Sequence, residues 1–297
     1  MFESIDTVPR RNWKLRIVGL IALVGCGSFA VSIWRMTQMP LRSYRGQLAP
    51  LSSAQSEIAR HLAAHVESLS SAIGVRSVDR AGSLKLTVDY IRNNLELLGY
   101  TFGEQFYTSN DHLVNNLQAE LPGEQNGDGI LVVGAHYDTV TQTVGADDNA
   151  SGVAAVLELA RLLKDRKLRR SVRFVFFVNE EPPFFQTNQM GSLAYAQKLR
   201  REGVRVSAMI SLETVGFYSD NPGSQKYPPL LSWLYPSRGN FVGFVANTES
   251  RDLVRRQFAA FVNQRPFHLK ASQLPQPGRA SHGPISGLSG KKVIQQS

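Results

Sequence analysis

The 297-residue chain predicts an α/β protein: a mostly parallel central sheet flanked by helices, preceded by one apolar helix. Three observations predict it. Residues 130–135 are a continuously apolar run, and 172–178 and 208–212 are short, largely apolar runs, the pattern of strands covered on both faces. Residues 152–163 and 191–201, between those runs, repeat apolar side chains at helical spacing. The links are short, so successive strands run parallel with helical crossovers packed on the sheet. Composition agrees, because 42% apolar residues and a net charge of +9 are too apolar and too weakly charged for a disordered chain. A single cysteine excludes a disulfide framework and a cysteine-based zinc or iron–sulfur site.

The charge sits largely in a leader. Residues 1–50 hold seven Lys and Arg against two acids, net +5, which leaves only +4 for the rest and no case for a nucleic-acid partner. Residues 17–34 are eighteen uncharged residues, near the lower limit for a helix crossing ~30 Å of hydrocarbon. With Arg10, Arg11, Lys14 and Arg16 upstream, residues 1–16 read as a cytoplasmic basic tail and 17–34 as a transmembrane signal anchor. Everything beyond is then non-cytoplasmic, periplasmic or extracellular. Two alternatives stand beside the anchor. One is a cleaved secretory signal. The other is a lipoprotein, since Leu23-Val24-Gly25-Cys26 resembles a bacterial lipobox that would lipidate Cys26. Apolar residues continue eight positions past Cys26, which favours the anchor. Residues 35–55, with Pro40, Gly46 and Pro50, read as a linker, and 56–297 as the folded domain.

Within that domain, Ile58, Leu62, Val66 and Leu69 predict a helix over about 56–69. Leu84, Val88, Ile91, Leu95 and Leu98 predict a second, stopped at Gly99. In 152–163, Val153, Val156, Leu157, Ala160 and Leu163 share one side, with Ser151 available as cap. Residues 164–173 hold six Lys and Arg, read as cations at a helix C-terminus and in a solvated turn. Tyr227-Pro228-Pro229 reads as a rigid loop, and no internal repeat is present.

In such a sheet, ligands bind beyond the carboxyl ends of the strands. His136, Tyr137 and Asp138 follow the first run; Asp147, Asp148 and Asn149 lead into the next helix. Asn179, Glu180 and Glu181 follow the second run, and Glu213 follows the third. Singly these are weak signals: a strand-end His is usually only hydrogen-bonded, paired Glu residues are usually solvated, and Asp-Asp-Asn reads as a turn or N-cap. Together, in order at successive strand ends, they form a constellation. Unpaired carboxylates crowded there would raise one another's pKa, and a bound cation relieves that. His with carboxylates suits zinc, and there are carboxylates enough for two ions, one of them bridging, ~3.5–4 Å apart. Of the adjacent Glu180 and Glu181, one can bind metal while the other handles protons. His61 and His65 are four apart on a helix, but no Glu follows His61 as a metalloprotease helix would require. His112 lies in a polar loop without evident role.

These motifs, with Met190-Gly191-Ser192, Tyr195-Ala196 and Ile210-Ser211-Leu212-Glu213, resemble the zinc aminopeptidase family (metallopeptidase family twenty-eight) over about residues 56–282. That family includes bacterial leucyl aminopeptidases and glutamate carboxypeptidase. The resemblance implies a zinc exopeptidase-like three-layer sandwich, two zinc ions per chain and peptide substrates. It implies that His136 and Glu213 bind the second zinc, Glu213 standing where many relatives have Asp. Asp138 would orient His136, Asp148 would bridge both ions, Glu181 would bind the first zinc and Glu180 would be the general base. The last ligand would be His282, preceded by Ser281 instead of the usual Asp; His268 fits less well. Relatives continue with a strand, a Thr-Asp loop and a closing helix. Only fifteen residues follow His282, without strand or helix pattern, so the domain is expected to be incomplete after about 283. The expected function is a membrane-anchored two-zinc aminopeptidase. The alternatives are a one-zinc glutaminyl cyclase and a non-catalytic or inactivated membrane protein using the fold as an interaction module, as transferrin receptor does.

Overall fold

The computed structural model describes residues 13–37, 49–125, 129–227, 232, 235–247, 249–263 and 291–295. Two compact units are distinguished, residues 1–44 and 45–297. The first holds helix α1 (Trp13–Thr37), which covers the expected apolar segment and exposes Val18, Leu23 and Phe29. The expected membrane span is not supported: among the described residues no helix is long and apolar enough to cross a membrane. The uncharged stretch is the marginal part: residues 17–34 rise about 27 Å as a helix against ~30 Å of hydrocarbon.

The second unit opens with α2 (Ser53–Glu67). Its capping box is complete: Ser52 Oγ accepts from Gln55 N–H while the Gln55 side chain accepts from Ser52 N–H. Helices at both ends thus encroach on the expected 35–55 linker. α3 (Ala81–Leu97) ends as predicted at Gly99, whose φ of +81° suits a residue without Cβ. A hairpin unread in the sequence follows, β1 (Phe102–Ser109) and β2 (His112–Leu121). Its two-residue turn places Asn110 and Asp111 both at positive φ, the geometry that matches the twist of antiparallel strands. Then come β3 (Ile130–His136), α4 (Gly152–Leu163), β4 (Val172–Phe177), α5 (Gly191–Arg201) and β5 (Val206–Glu213), all close to their predicted bounds. β6 (Val242–Ala246), α6 (Arg251–Asn263) and β7 (Lys291–Gln295) complete the described strands and α-helices.

The sheet order is β1-β2-β4-β3-β5-β7-β6. β3 pairs in parallel with β4 and β5, and β6 with β7; the other three pairings are antiparallel. The expected mostly parallel sheet is therefore corrected to a mixed one with a parallel centre, because the hairpin and β7 enter antiparallel. β7 also corrects the expectation that no strand follows residue 282: it lies between β5 and β6, with backbone partners on both sides.

Alternate side chains of the central strands serve opposite faces. Val133, Ala135, Phe174 and Phe176 pack with Val153, Val156 and Leu157 of α4 and with Ile91 and Leu95 of α3. Val132, Val175 and Phe177 pack with Tyr195 and Leu199 of α5 on the other face. Each such large side chain contributes about 1.5–3 kcal/mol on burial. The result is the three-layer arrangement, with the carboxyl ends of β3, β4 and β5 at one rim.

Candidate metal centre

That rim gathers most of the predicted residues. His136 ends β3, Glu213 ends β5, and Asn179, Glu180 and Glu181 follow β4. His136 Nε2 lies 2.9 Å from Glu213 Oε1 and 3.2 Å from Asp148 Oδ1. Ligand atoms of His136, Asp148 and Glu213 all fall within 4.8 Å of one another, a spacing one metal ion can bridge. His136 Nδ1 lies 3.1 Å from the Asp138 carbonyl oxygen and 3.3 Å from Asp138 Oδ1. Hydrogen-bonding one ring nitrogen in this way orients the other toward a metal.

Asp138 also organises the β4 exit. Its Oδ1 accepts from Glu180 N–H (3.2 Å) and its Oδ2 from Glu181 N–H (3.0 Å). The Glu180 carboxylate is gripped in turn by Ser192, whose N–H donates to Oε1 (2.6 Å) and whose hydroxyl donates to Oε2 (3.0 Å). Gly191 makes this possible: a Cβ there would collide with the Val178 carbonyl and the Asn116 side chain, so only glycine lets α5 start so close to β4. Glu181 stands beside the triad, half-buried, outside the three-residue cluster. His282 and the alternative His268 lie outside the described residues.

The loop bearing Asp148 is stitched in place by its own neighbours and by one arginine from a distant segment. Asp147 Oδ1 accepts from Gly216 N–H (2.7 Å) and Phe217 N–H (3.0 Å). Asn149 donates to the Leu212 carbonyl and accepts from Thr214 N–H, tying the turn to the end of β5. Asn149 Oδ1 also accepts from Gly152 N–H, the capping role expected of Ser151. Ser151 instead has helical backbone angles, and its hydroxyl donates to the Asp147 carbonyl. Arg76 is fully buried behind the loop and donates to the carbonyls of Leu69, Gly74, Tyr137, Val144 and Gly145 at 2.7–3.0 Å. No local pattern marks Arg76; Ser192 did lie within the recognised Met-Gly-Ser motif.

Electrostatics follow from the crowding. Burial raises the Glu180 carboxyl to about 7, against the Ser192 bonds that favour its charge. Burial, with the Asp148 charge, raises Glu181 to about 8. Glu213 is also raised by burial, although His136 opposes the shift. His136 rises well above its ordinary value: burial pulls it down, but the Glu213 charge and its bonds to Asp138, Asp148 and Glu213 prevail. Asp148 ends below its ordinary value because His136 and Arg76 overcome its burial. A cluster that retains protons on carboxylates while protonating its imidazole is one that a dication suits. Imidazole nitrogen with two carboxylates is a zinc donor set. Two clefts lie elsewhere: one of about 480 Å³ along α3 and the hairpin, another of about 570 Å³ beside Tyr100 and Gln118. Neither is lined by His136, Asp148 or Glu213, and the donor chemistry decides the assignment.

Fold and cluster together give an α/β domain with a candidate metal centre at the carboxyl ends of its central strands. Residues 116–261 match Peptidase family M28, and over that span the chain is similar to the family. The Escherichia coli (strain K12) protein YfbL is 36% identical over 219 residues, 71% of this chain and 66% of that protein. Leupeptin-inactivating enzyme 1 of Streptomyces exfoliatus is 31% identical over 195 residues, 64% of this chain and 42% of that one. The chain thus spans less than two thirds of either relative. In structure it is similar to LapA of Legionella pneumophila, with a TM-score of 0.53 over 76% of this chain and 60% of that one at 18% identity, a likeness of fold alone.

Proposed function

We propose that the chain is a zinc-dependent aminopeptidase that hydrolyses the N-terminal residue from peptides. The observation that carries this is the convergence of His136, Asp148 and Glu213 within 4.8 Å, beside a Glu180 carboxylate raised to about 7. Zinc is the metal named for family relatives; when bound, it supplies Lewis-acid polarisation of the scissile carbonyl and of water. His136, Asp148 and Glu213 would hold it, and Asp138 fixes the imidazole. Glu180 takes the proton of the attacking water and returns it to the leaving amine, a task suited to a carboxyl poised near neutrality. Ser192 keeps that carboxylate oriented. A second ion would use Asp148 and Glu181 together with His282, which lies outside the described residues. Release of an N-terminal residue, in preference to internal cleavage, rests on the motif resemblance.

The test uses the purified full chain, zinc analysis and amino-acid p-nitroanilides, beside Glu180→Gln. Zinc-dependent hydrolysis, lost in the variant with metal content retained, is the expected result. Less than one zinc per chain, or activity indifferent to the substitution, overturns the reading and leaves a non-catalytic protein. Turnover of peptides with N-terminal glutamine in place of the anilides would favour a cyclase.

We further propose that α1 tethers this unit to a membrane on its non-cytoplasmic side. The eighteen uncharged residues and the basic flank of α1 support it. The chain should resist alkaline extraction from membranes and be digested by protease added to spheroplasts. Recovery in the soluble fraction excludes the tether, and release by Cys26→Ser alone would make it a lipid anchor.

A further inference from the structure

The two ends of the central strands carry opposite charge. Asp138, Asp147, Asp148, Glu180, Glu181 and Glu213 crowd the carboxyl ends. At the amino ends, Lys164, Arg166, Lys167, Arg169 and Arg170 lie exposed in the α4–β4 link, Arg200 and Arg201 close α5, and Arg205 precedes β5. Backbone bonds place these segments side by side: Leu131 N–H donates to the Ser171 carbonyl, Ile130 N–H to that of Arg205, and Gln125 N–H to that of Arg169. Neighbouring strands lie about 4.8 Å apart, so these cations share one end of the sheet. The exposed acids in the same segments are Glu124, Asp165 and Glu202, and Glu202 pairs with Lys198. Residues 101–150, which include three of the rim acids, contain no Lys or Arg.

Helix dipoles account for only part of this. They reach the last turn of a helix, whereas Arg169, Arg170 and Arg205 stand outside any helix. Residues 164–171 and 198–206 supply no aromatic side chain on which a nucleic-acid base could stack. All the cations named above are exposed, spread over a face and not gathered in a pocket, which suits an extended anionic layer better than one small anion.

We propose that this basic end of the sheet is a docking surface for anionic lipid headgroups, which turns the metal centre away from the membrane. Attraction concentrated at one end of the sheet is enough to orient the domain. The inference extends the tether reading, but the charge separation stands without it.

The test places a fluorophore at Asp165→Cys in the full chain carrying Cys26→Ser. A control chain, otherwise identical, carries the fluorophore at Leu113→Cys instead. Leu113 is 72% exposed, at the far end of β2 from Leu121, which pairs with Val172 at the amino end of β4. On vesicles of phosphatidylcholine with phosphatidylglycerol, a headgroup-borne quencher should quench the residue-165 label and spare the residue-113 label. Raising salt from about 0.1 M to about 1 M, which shortens screening from ~10 Å to ~3 Å, should abolish the difference. The triple variant Arg166→Glu, Lys167→Glu, Arg201→Glu should weaken the contact at least about a hundredfold, with an unchanged thermal midpoint showing that it folds. Equal quenching at both positions, or equal quenching on phosphatidylcholine alone, overturns the proposal. Flotation on phosphatidylcholine alone tests the tether separately: a chain that floats there without preference for one end keeps the tether and loses the docking surface.

Discussion

Ser192 holds both oxygens of Glu180, through its N–H to one (2.6 Å) and its hydroxyl to the other (3.0 Å). The two groups reach the carboxylate from the first turn of α5, where partial positive charge also favours an anion. Ser192→Ala keeps the N–H contact and loses the hydroxyl, a charge-assisted bond worth about 1.5–3 kcal/mol. The expected outcome is a kcat lowered by about tenfold to a hundredfold with KM little changed, and recovery in Ser192→Thr. Steady-state kinetics on the p-nitroanilide decide it; a loss confined to KM would contradict a positioning role.

Glu180→Gln removes the proton acceptor and keeps nearly the same shape. Hydrolysis should fall by about 10²–10⁴-fold while zinc per chain stays at the wild-type value. Metal analysis alongside the rate separates this from simple loss of the ion.

Glu213 closes the metal cluster at the end of β5, 2.9 Å from His136 Nε2. Zinc at a hundred times its dissociation constant should stabilise the chain by about 2.7 kcal/mol. Glu213→Ala should lose most of that gain, read as a thermal midpoint that no longer climbs with added zinc. An undiminished climb would remove Glu213 from the ligand set.

Arg76 is buried with five carbonyl partners, and burial depresses its pKa to about 10. Arg76→Met leaves those carbonyls without their donors and should cost more than about 3 kcal/mol in urea unfolding. Arg76→Lys keeps the charge but not the planar fork, and should fall between the two. A loss below about 1 kcal/mol for the methionine variant would show that the loop holds without the guanidinium.

His65 gives a pH dependence remote from the metal cluster. Burial lowers its pKa below 6.5, with the Glu158 charge opposing and His61 assisting. The unfolded chain therefore takes up the proton first as pH falls. Stability from the neutral ring is complete above the unfolded value and is lost as pH drops from about 6.5 toward the folded value. His65→Phe should flatten that part of a stability–pH curve, although it also leaves the Tyr90 hydroxyl without the 2.7 Å partner it has now. An unchanged slope would assign the dependence to another group.

The central strands, their crossover helices and the strand-end acids were legible because each depends on residues close together in sequence. His136, Asp148 and Glu213 could be placed at one rim once three apolar runs were taken as parallel strands. The hairpin was not legible. Its Gln105, Asn115 and Asn116 break the apolar alternation, and they are tolerated because they pair with Glu104, Gly191 and one another. Arg76 escaped notice because its partners are carbonyls, which every residue carries. β7 escaped because a five-residue strand can be held by backbone pairing on both sides without a continuous apolar run.

The place of β7 has a consequence for assembly. Among the described residues β6 joins the sheet only through β7, and β7 joins the centre only through β5. The strands from β1 to β5 pair with neighbours near in the chain, but β6 stays unpaired on both edges until a segment far downstream enters between it and β5. That waiting period exposes strand edges able to capture a foreign chain, and a break anywhere in 291–295 would unzip two strands at once.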